Sequence, residues 1–106
     1  MSWEKQLDEG AAEFGRGAFQ SAEQTLSGVV STLNGDDNSK RDYASALDWL
    51  GRAQTWLGKY DAAEKNLKES RRLREELYGA DSKAVAFVDL YLSDLSLTNQ
   101  EFKPAH

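Results

Sequence analysis

The side chains that most often carry catalysis or bind metals are scarce in this sequence. It has no cysteine, which excludes disulfides, thiolate nucleophiles and zinc–thiolate sites. The one histidine, His106, is the last residue, and chain ends are usually too mobile for a catalytic or metal-binding role. Carboxylates are abundant, but no nucleophile–base set and no phosphate-binding glycine loop after a strand accompany them. We therefore expect no enzyme activity, no cofactor and no metal site.

Basic residues are clustered in one stretch, which is one pattern of nucleic-acid binding. The stretch contains Lys65, Lys68, Arg71, Arg72 and Arg74. Acidic residues lie four positions away, in the pairs Asp61–Lys65, Glu64–Lys68, Arg71–Glu75 and Arg72–Glu76. The formal net charge of −5 also disfavours nucleic acid and anionic membranes. The pattern favours a solvated outer helix face, and we expect neither a nucleic-acid nor a membrane partner.

The elements that must position any functional side chain are predicted to be helices. Helix formers are abundant, and Pro104 is the only proline. Apolar residues recur at helical spacing in four stripes, over Trp3–Ala18, Phe19–Leu33, Tyr43–Leu57 and Tyr60–Leu77, and a fifth helix is expected from about Lys83 to Leu97. Short turns join them, so neighbouring helices should be antiparallel. With 106 residues, the chain is expected to form a single domain, residues 1–106.

Turn and capping residues separate the stripes. Glycines that suit helix C-termini follow the second, third and fourth stripes, at Asn34-Gly35, Gly58 and Gly79. Candidate N-caps precede the third and fifth helices, at Asn38 or Ser39 and at Asp81 or Ser82. The polar run Thr98-Asn99-Gln100 is expected to end the fifth helix.

No uninterrupted apolar run approaches the length of a membrane span. The first residues, Met1 to Lys5, lack the basic-then-apolar layout of a signal peptide. The expected location is therefore the cytoplasm.

The sequence repeats itself at an interval of about forty residues. Moving back by 41 positions carries Gly51, Gly58, Tyr60, Ala63 and Leu67 onto Gly10, Gly17, Phe19, Ala22 and Leu26. Moving forward by 42 positions carries Leu50, Gly51, Tyr60 and Ala63 onto Leu92, Ser93, Phe102 and Ala105. Small residues in two facing helices allow a close crossing, and a glycine suits the turn between them. A period of this length is typical of a helical solenoid.

The middle unit resembles the tetratricopeptide repeat in its residues Leu50-Gly51, Gly58-Lys59-Tyr60, Ala63 and Leu67. The long period and the stretch Leu73–Asp81, followed by Val85-Ala86, are similar to the repeats of kinesin light chain. The resemblance implies an all-α fold of antiparallel hairpins stacked as a short right-handed solenoid. It implies about two and a half units, over 3–37, 39–79 and 81–106, the last incomplete. Asp48-Trp49 replaces the paired asparagines frequent in that family, so its cargo preferences do not carry over.

In proteins of this kind the first helix of each unit lines a concave groove. The resemblance places in this groove Leu7, Ala11, Phe14, Asp48, Trp49, Arg52, Trp56, Phe87, Tyr91 and Asp94. Some family members grip a C-terminal carboxylate with lysine, asparagine and arginine, but Leu7, Ala11, Trp49, Phe87 and Tyr91 occupy those places here. We therefore expect no binding of heat-shock chaperone tails. The predicted function is a non-catalytic scaffold that binds a peptide or protein segment, and the acidic groove favours a partner with basic residues.

Two alternatives remain open for the groove residues. Trp49, Trp56 and Tyr91 are either binding anchors or packing between repeats. Arg52 either orients an acidic group of a ligand or forms an ion pair with Asp48, four residues earlier. The spacing favours the ion pair.

The fifth helix is apolar almost all the way round, which is typical of a buried helix. Residues 101–106, expected to begin the next helix, are too few to cover it. The sequence therefore predicts self-association through Val88, Leu92 and Leu95, as a symmetric homodimer. Cover supplied by a longer chain or by a different protein is the alternative. A self-assembling structural module is thus the second predicted function.

Overall fold

The computed structural model describes residues 3–102, with side chains up to residue 100, and over this range it is helical with no strand. The α-helices are α1 (Trp3–Gly15), α2 (Phe19–Leu33), α3 (Lys40–Trp56), α4 (Tyr60–Tyr78) and α5 (Lys83–Phe102). A 3-10 turn, Asp37–Ser39, precedes α3. The prediction of an all-α chain is confirmed.

Helices α1 and α2, and again α3 and α4, form hairpins with the same turn. In the first, the Gly17 N–H donates to the Phe14 carbonyl (3.0 Å) and the Ala18 N–H to the Glu13 carbonyl (2.9 Å). In the second, Gly58 donates to Thr55 (3.2 Å) and Lys59 to Gln54 (2.9 Å). Both glycines have a positive φ, 80° and 79°, so each turn is a glycine-terminated helix end followed at once by the next helix.

The two hairpins also share a close helix crossing. A Cβ atom added to Gly10 would lie 2.6 Å from the Leu26 side chain, and one added to Gly51 would lie 2.6 Å from Leu67. Leu26 and Leu67 are fully buried. The interval of 41 residues found in the sequence is therefore also an interval between equivalent turns and equivalent packing contacts.

Helix α3 is at the centre of the molecule and contacts α1, α2, α4 and α5. On one side the core contains Ala22, Leu26, Leu50 and Ala53. A second core cluster, between α4 and α5, contains Ala63, Leu67, Val88 and Leu95. Because α3 touches both α1 and α5, the surface between these three helices brings together side chains from distant parts of the chain.

Helix α5 differs from its prediction. It continues without a turn through Thr98-Asn99-Gln100 to Phe102, so no new helix begins at Glu101. Gln100 occupies the place of Gly58 in the repeat, and glutamine is a good helix former with no preference for positive φ. Ala105 and His106 lie outside the described residues.

The caps are partly as predicted. The Ser82 hydroxyl accepts from the Val85 N–H at the start of α5 (3.3 Å), which confirms the candidate cap. Ser39 precedes α3 but makes no capping bond. Instead the Asp36 carboxylate accepts from the Asn38 N–H (3.0 Å) and the Ser39 hydroxyl (3.1 Å), because the 3-10 turn places these donors beside it. Within residues 3–102, no helix is both long and apolar enough to cross a membrane.

Candidate binding groove

A groove lies between α1, α3 and α5 and consists of two adjoining clefts. The larger cleft has a volume of about 440 Å³ and is lined by Phe14, Arg52, Thr55, Trp56, Tyr91, Asp94, Leu97 and Thr98. The smaller cleft has a volume of about 240 Å³ and is lined by Ser45, Asp48, Trp49, Arg52, Arg74, Phe87 and Tyr91. Arg52 and Tyr91 line both, so their contact forms the ridge between the two clefts.

This ridge is an arginine held among three aromatic rings. The guanidinium carbon of Arg52 lies 4.7 Å from the ring centre of Phe14, 4.7 Å from Trp49 and 4.5 Å from Tyr91. The rings come from α1, α3 and α5, and Phe14 also meets Trp49 edge to face at 5.4 Å. A cation over an aromatic face is attracted by the ring quadrupole. The cluster therefore ties the three groove helices together at Arg52.

The two groove tryptophans have different environments. Trp49 is half-buried, packs against the core cluster of Ala22, Leu26, Leu50 and Ala53, and also lines the smaller cleft. Trp56 stacks on Phe19 with ring centres 5.6 Å apart and an angle of 8° between planes. Nevertheless, 62% of Trp56 remains exposed. Of the two, Trp56 has the larger surface available to a ligand.

Asp48 does not pair with Arg52, contrary to the ion pair that the spacing favoured. Its carboxylate accepts from the Ser70 hydroxyl at 2.5 Å and forms an ion pair with Arg74, both on α4. Burial raises the pKa of Asp48 above its ordinary value, and the hydrogen bond from Ser70 and the charges of Arg74 and Arg52 oppose that shift. Asp48 is only 6% exposed, so it forms the polar floor of the smaller cleft.

The remaining predicted groove residues are divided between the clefts and the core. Phe87 lines the smaller cleft, and Asp94 lines the larger one beside Tyr91. Leu7 packs into the core, and neither Leu7 nor Ala11 is among the residues that line the two clefts. The predicted groove is thus brought together mainly at α3 and α5, with Phe14 as the contribution of α1.

Arg74 is the groove residue that the sequence assigned elsewhere, to the outer face of α4. It pairs with a carboxylate 26 residues earlier on another helix. No local spacing signals such a partner. The side chain of Arg74 is only 16% exposed, because it reaches inward beneath the smaller cleft.

The outer face of α4 otherwise carries the expected ion pairs. Lys68 lies 3.6 Å from Glu64, and Arg72 lies 2.8 Å from Glu69 and 3.4 Å from Glu76. Arg71 pairs with Glu75 and also with Asp89 on α5, at 2.7 Å. Among the described residues, Asp61 and Lys65 do not come within ion-pair distance. Most of the basic cluster is therefore neutralised by carboxylates of the same chain.

The residues predicted for self-association, Val88, Leu92 and Leu95, are on the wrong face of α5. Val88 is fully buried and Leu95 is 4% exposed, and both pack with Ala63 and Leu67 beneath α5. Leu92 is half-buried against the same cluster. The exposed apolar face of α5 instead carries Phe87, Leu90 and Leu97, at 54%, 61% and 62% exposure. A helix that is apolar on all sides gives no sequence signal of which side faces the core.

A chain of polar side chains joins the two hairpins away from the groove. The Lys59 ammonium lies 2.7 Å from the Glu23 carboxylate. Gln54, which is 7% exposed, donates to Glu23 at 3.2 Å and accepts from Asn66 at 2.7 Å. The hydrogen bond from Lys59 lowers the pKa of Glu23, burial opposes this shift, and the bond from Gln54 adds to it. The chain satisfies the buried amide of Gln54 and connects α2, α3 and α4.

In the part of the chain that the structure describes, no cluster of three histidine, cysteine or carboxylate side chains could hold a metal ion. Comparison of the chain with protein-family models, with curated proteins and with solved structures gives no match.

Proposed function

We propose that this chain is a non-catalytic scaffold that binds a segment of another protein in the groove between α1, α3 and α5. The proposal includes a tetratricopeptide-like arrangement, in which α1–α2 and α3–α4 are two repeats and α5 is the first helix of a third. The equivalent turns at Gly17 and Gly58 and the equivalent crossings at Gly10 and Gly51 support this arrangement.

The observation that carries the proposal is the pair of exposed apolar walls of the larger cleft. Trp56 on α3 and Leu97 on α5 line this cleft, and each is 62% exposed. Burying a large apolar side chain contributes about 1.5–3 kcal/mol, and tryptophan is a frequent anchor at interfaces. A ligand side chain that enters this cleft would reduce the exposure of its apolar lining.

Selection from a displayed library of random dodecapeptides tests the groove without a known partner. Affinities of the selected peptides are then measured for the wild type, for Trp56→Ala and for Arg72→Ala on the outer face. We expect Trp56→Ala to lose about 2 kcal/mol or more of binding free energy, against less than about 1 kcal/mol for Arg72→Ala. Equal losses from the two substitutions would contradict groove binding.

Self-assembly is a second candidate function, favoured by the exposed face of α5. Phe87, Leu90 and Leu97 follow one another at spacings of three and seven residues and lie on one side of the helix. Contiguous exposed apolar side chains of this kind often mark protein interfaces. A symmetric homodimer would pair this face with its own copy.

A further inference from the structure

We propose that Arg52 binds a side-chain carboxylate, from an aspartate or glutamate of the segment that occupies the groove. This inference rests on the proposed groove function and adds the chemistry of the ligand to it.

The first support is that Arg52 has hydrogen-bonding capacity that the described residues do not use. Its guanidinium is in contact with three rings, yet none of the hydrogen bonds or ion pairs within residues 3–100 involves it. A guanidinium carries five N–H donors, and a contact with the face of a ring does not use them as a carboxylate would. The only ion-pair partner that the sequence offered, Asp48, is bound to Arg74 and Ser70.

The second support is that the rings hold the guanidinium in place before a ligand arrives. Phe14, Trp49 and Tyr91 contact it from three different helices. A free arginine side chain loses rotamer freedom when it binds, and this loss weakens binding. At Arg52 most of that loss has already occurred on folding. A fixed, planar fork of donors matches the geometry of a carboxylate.

The third support is the charge of the smaller cleft. Its lining contains two guanidiniums, Arg52 and Arg74, and one carboxylate, Asp48. The lining of this cleft therefore has one positive charge in excess, while the Asp94 carboxylate lines the larger cleft on the other side of the ridge. The expectation of a basic partner counted Asp48 among several groove carboxylates, and Asp48 is paired with Arg74.

The position of Arg52 favours a side-chain carboxylate over a C-terminal one. The clefts adjoin on both sides of Arg52 and Tyr91, so a bound segment can continue past the ridge in both directions. The acidic residue would lie at the ridge, and a neighbouring large apolar side chain would enter the larger cleft beside Trp56 and Leu97.

The test uses the peptides selected from the dodecapeptide library, made with acetylated and amidated ends. We expect one aspartate or glutamate to recur beside a large apolar residue. Its replacement by asparagine or glutamine should weaken binding to the wild type by about tenfold or more, as for hydrogen bonds to a charged group. Arg52→Gln should bind the acidic and amide peptides equally, whereas Arg72→Gln should still prefer the acidic one.

Two measurements keep the test valid if Arg52→Gln disturbs the fold. Circular dichroism and thermal unfolding compare that variant with the wild type, and Arg52→Lys retains the charge without the planar fork. Arg52→Lys should therefore have an intermediate preference for the acidic peptide.

The outcomes separate this inference from the proposed function. Peptides that depend on Trp56 but show no acidic preference would overturn the role of Arg52 and leave groove binding intact. Peptides that need a free C-terminal carboxylate, and not an internal acid, would also overturn it. Selection of no groove-dependent peptide would overturn both proposals.

Discussion

Two carboxylates of this molecule have pKa values that shift in opposite directions. Asp48 is enclosed between α3 and α4, and burial raises its pKa more than its partners Ser70 and Arg74 lower it. Glu23 lies closer to solvent, and its hydrogen bond with Lys59 outweighs burial and lowers its pKa. At the residue scale, the sign of the shift depends on whether desolvation or the partner dominates.

The lowered pKa of Glu23 predicts a contribution to stability that depends on pH. The folded state binds the proton of this group less readily than the unfolded chain, whose value is near 4.5. The contribution is therefore present above that value and is lost as pH falls through the lower, folded pKa. The wild type should lose unfolding free energy between about pH 7 and about pH 3.5, and the Glu23→Gln variant should lose less over the same interval.

Urea unfolding at the two pH values measures this effect. Glu64→Gln is the matched control, because Glu64 pairs with Lys68 on an exposed face where ion pairs contribute less than about 1 kcal/mol. A Glu23→Gln variant with the same pH dependence as the wild type would show that the Lys59–Glu23 pair does not stabilise the fold.

Part of the candidate site could be predicted from the sequence. Trp49, Arg52, Trp56 and Tyr91, which the repeat pattern grouped together, all line one or both of the two clefts. The partner of Asp48 was predicted wrongly, because spacing along one helix cannot report an arginine that arrives from another helix. The contacts of Arg52 with three aromatic rings could not be predicted for the same reason, because two of the rings come from other helices.

At the scale of elements, close helix crossings determine where glycine is required. Gly51 is buried against α4, and a Cβ there would lie 2.6 Å from the Leu67 Cγ atom and 3.3 Å from the Ala63 carbonyl oxygen. Gly28, in the middle of α2, has no neighbouring atom within 4 Å of the same Cβ position. An added methyl group would therefore clash at Gly51 and would meet open space at Gly28.

Gly51→Ala should destabilise the protein, and Gly28→Ala should stabilise it. Alanine gains up to about 1 kcal/mol of helix propensity at either site. At Gly51, overpacking against a fully buried leucine costs about 1–3 kcal/mol and outweighs that gain. Chemical unfolding followed by circular dichroism measures both variants. A Gly51→Ala variant more stable than the wild type would mean that α3 and α4 separate easily, against the packing described.

The sequence predicted the existence of all the α-helices and most of their boundaries. Helix spacing, the glycine turns and the Ser82 cap each have a local cause that can be read from a few neighbouring residues. The end of α5 was predicted wrongly, since polar residues such as Gln100 do not by themselves stop a helix. Its inward face could not be predicted, because that depends on how α4 lies beneath it.

At the scale of the whole molecule, self-assembly through the exposed face of α5 is the alternative to groove binding, because Phe87 and Leu97 of this face also line the two clefts. If the second candidate function holds, the protein is a homodimer. Static light scattering at micromolar concentration should give twice the monomer mass, and Leu90→Glu should give the monomer, because a charge would be buried in the interface. Leu77→Glu is the control, since Leu77 is an exposed leucine of α4, 39% accessible, that lies off this face. Leu95→Glu is unsuitable because it would place a charge in the core. A wild-type protein with the mass of a monomer would contradict the predicted homodimer.

The pattern of helix contacts has a consequence for how the chain acquires its shape. The extensive contacts within the described residues all join helices that are one or two places apart along the chain. Contacts between helices that are close in sequence need only short loops to close, which costs little chain entropy. Folding is therefore expected to be fast compared with that of β-rich domains of similar size. During synthesis, the α1–α2 hairpin can form while α5 is still unmade. Of the described helices, α5 is made last, so its part of the groove is added after α1 to α4 have been synthesised.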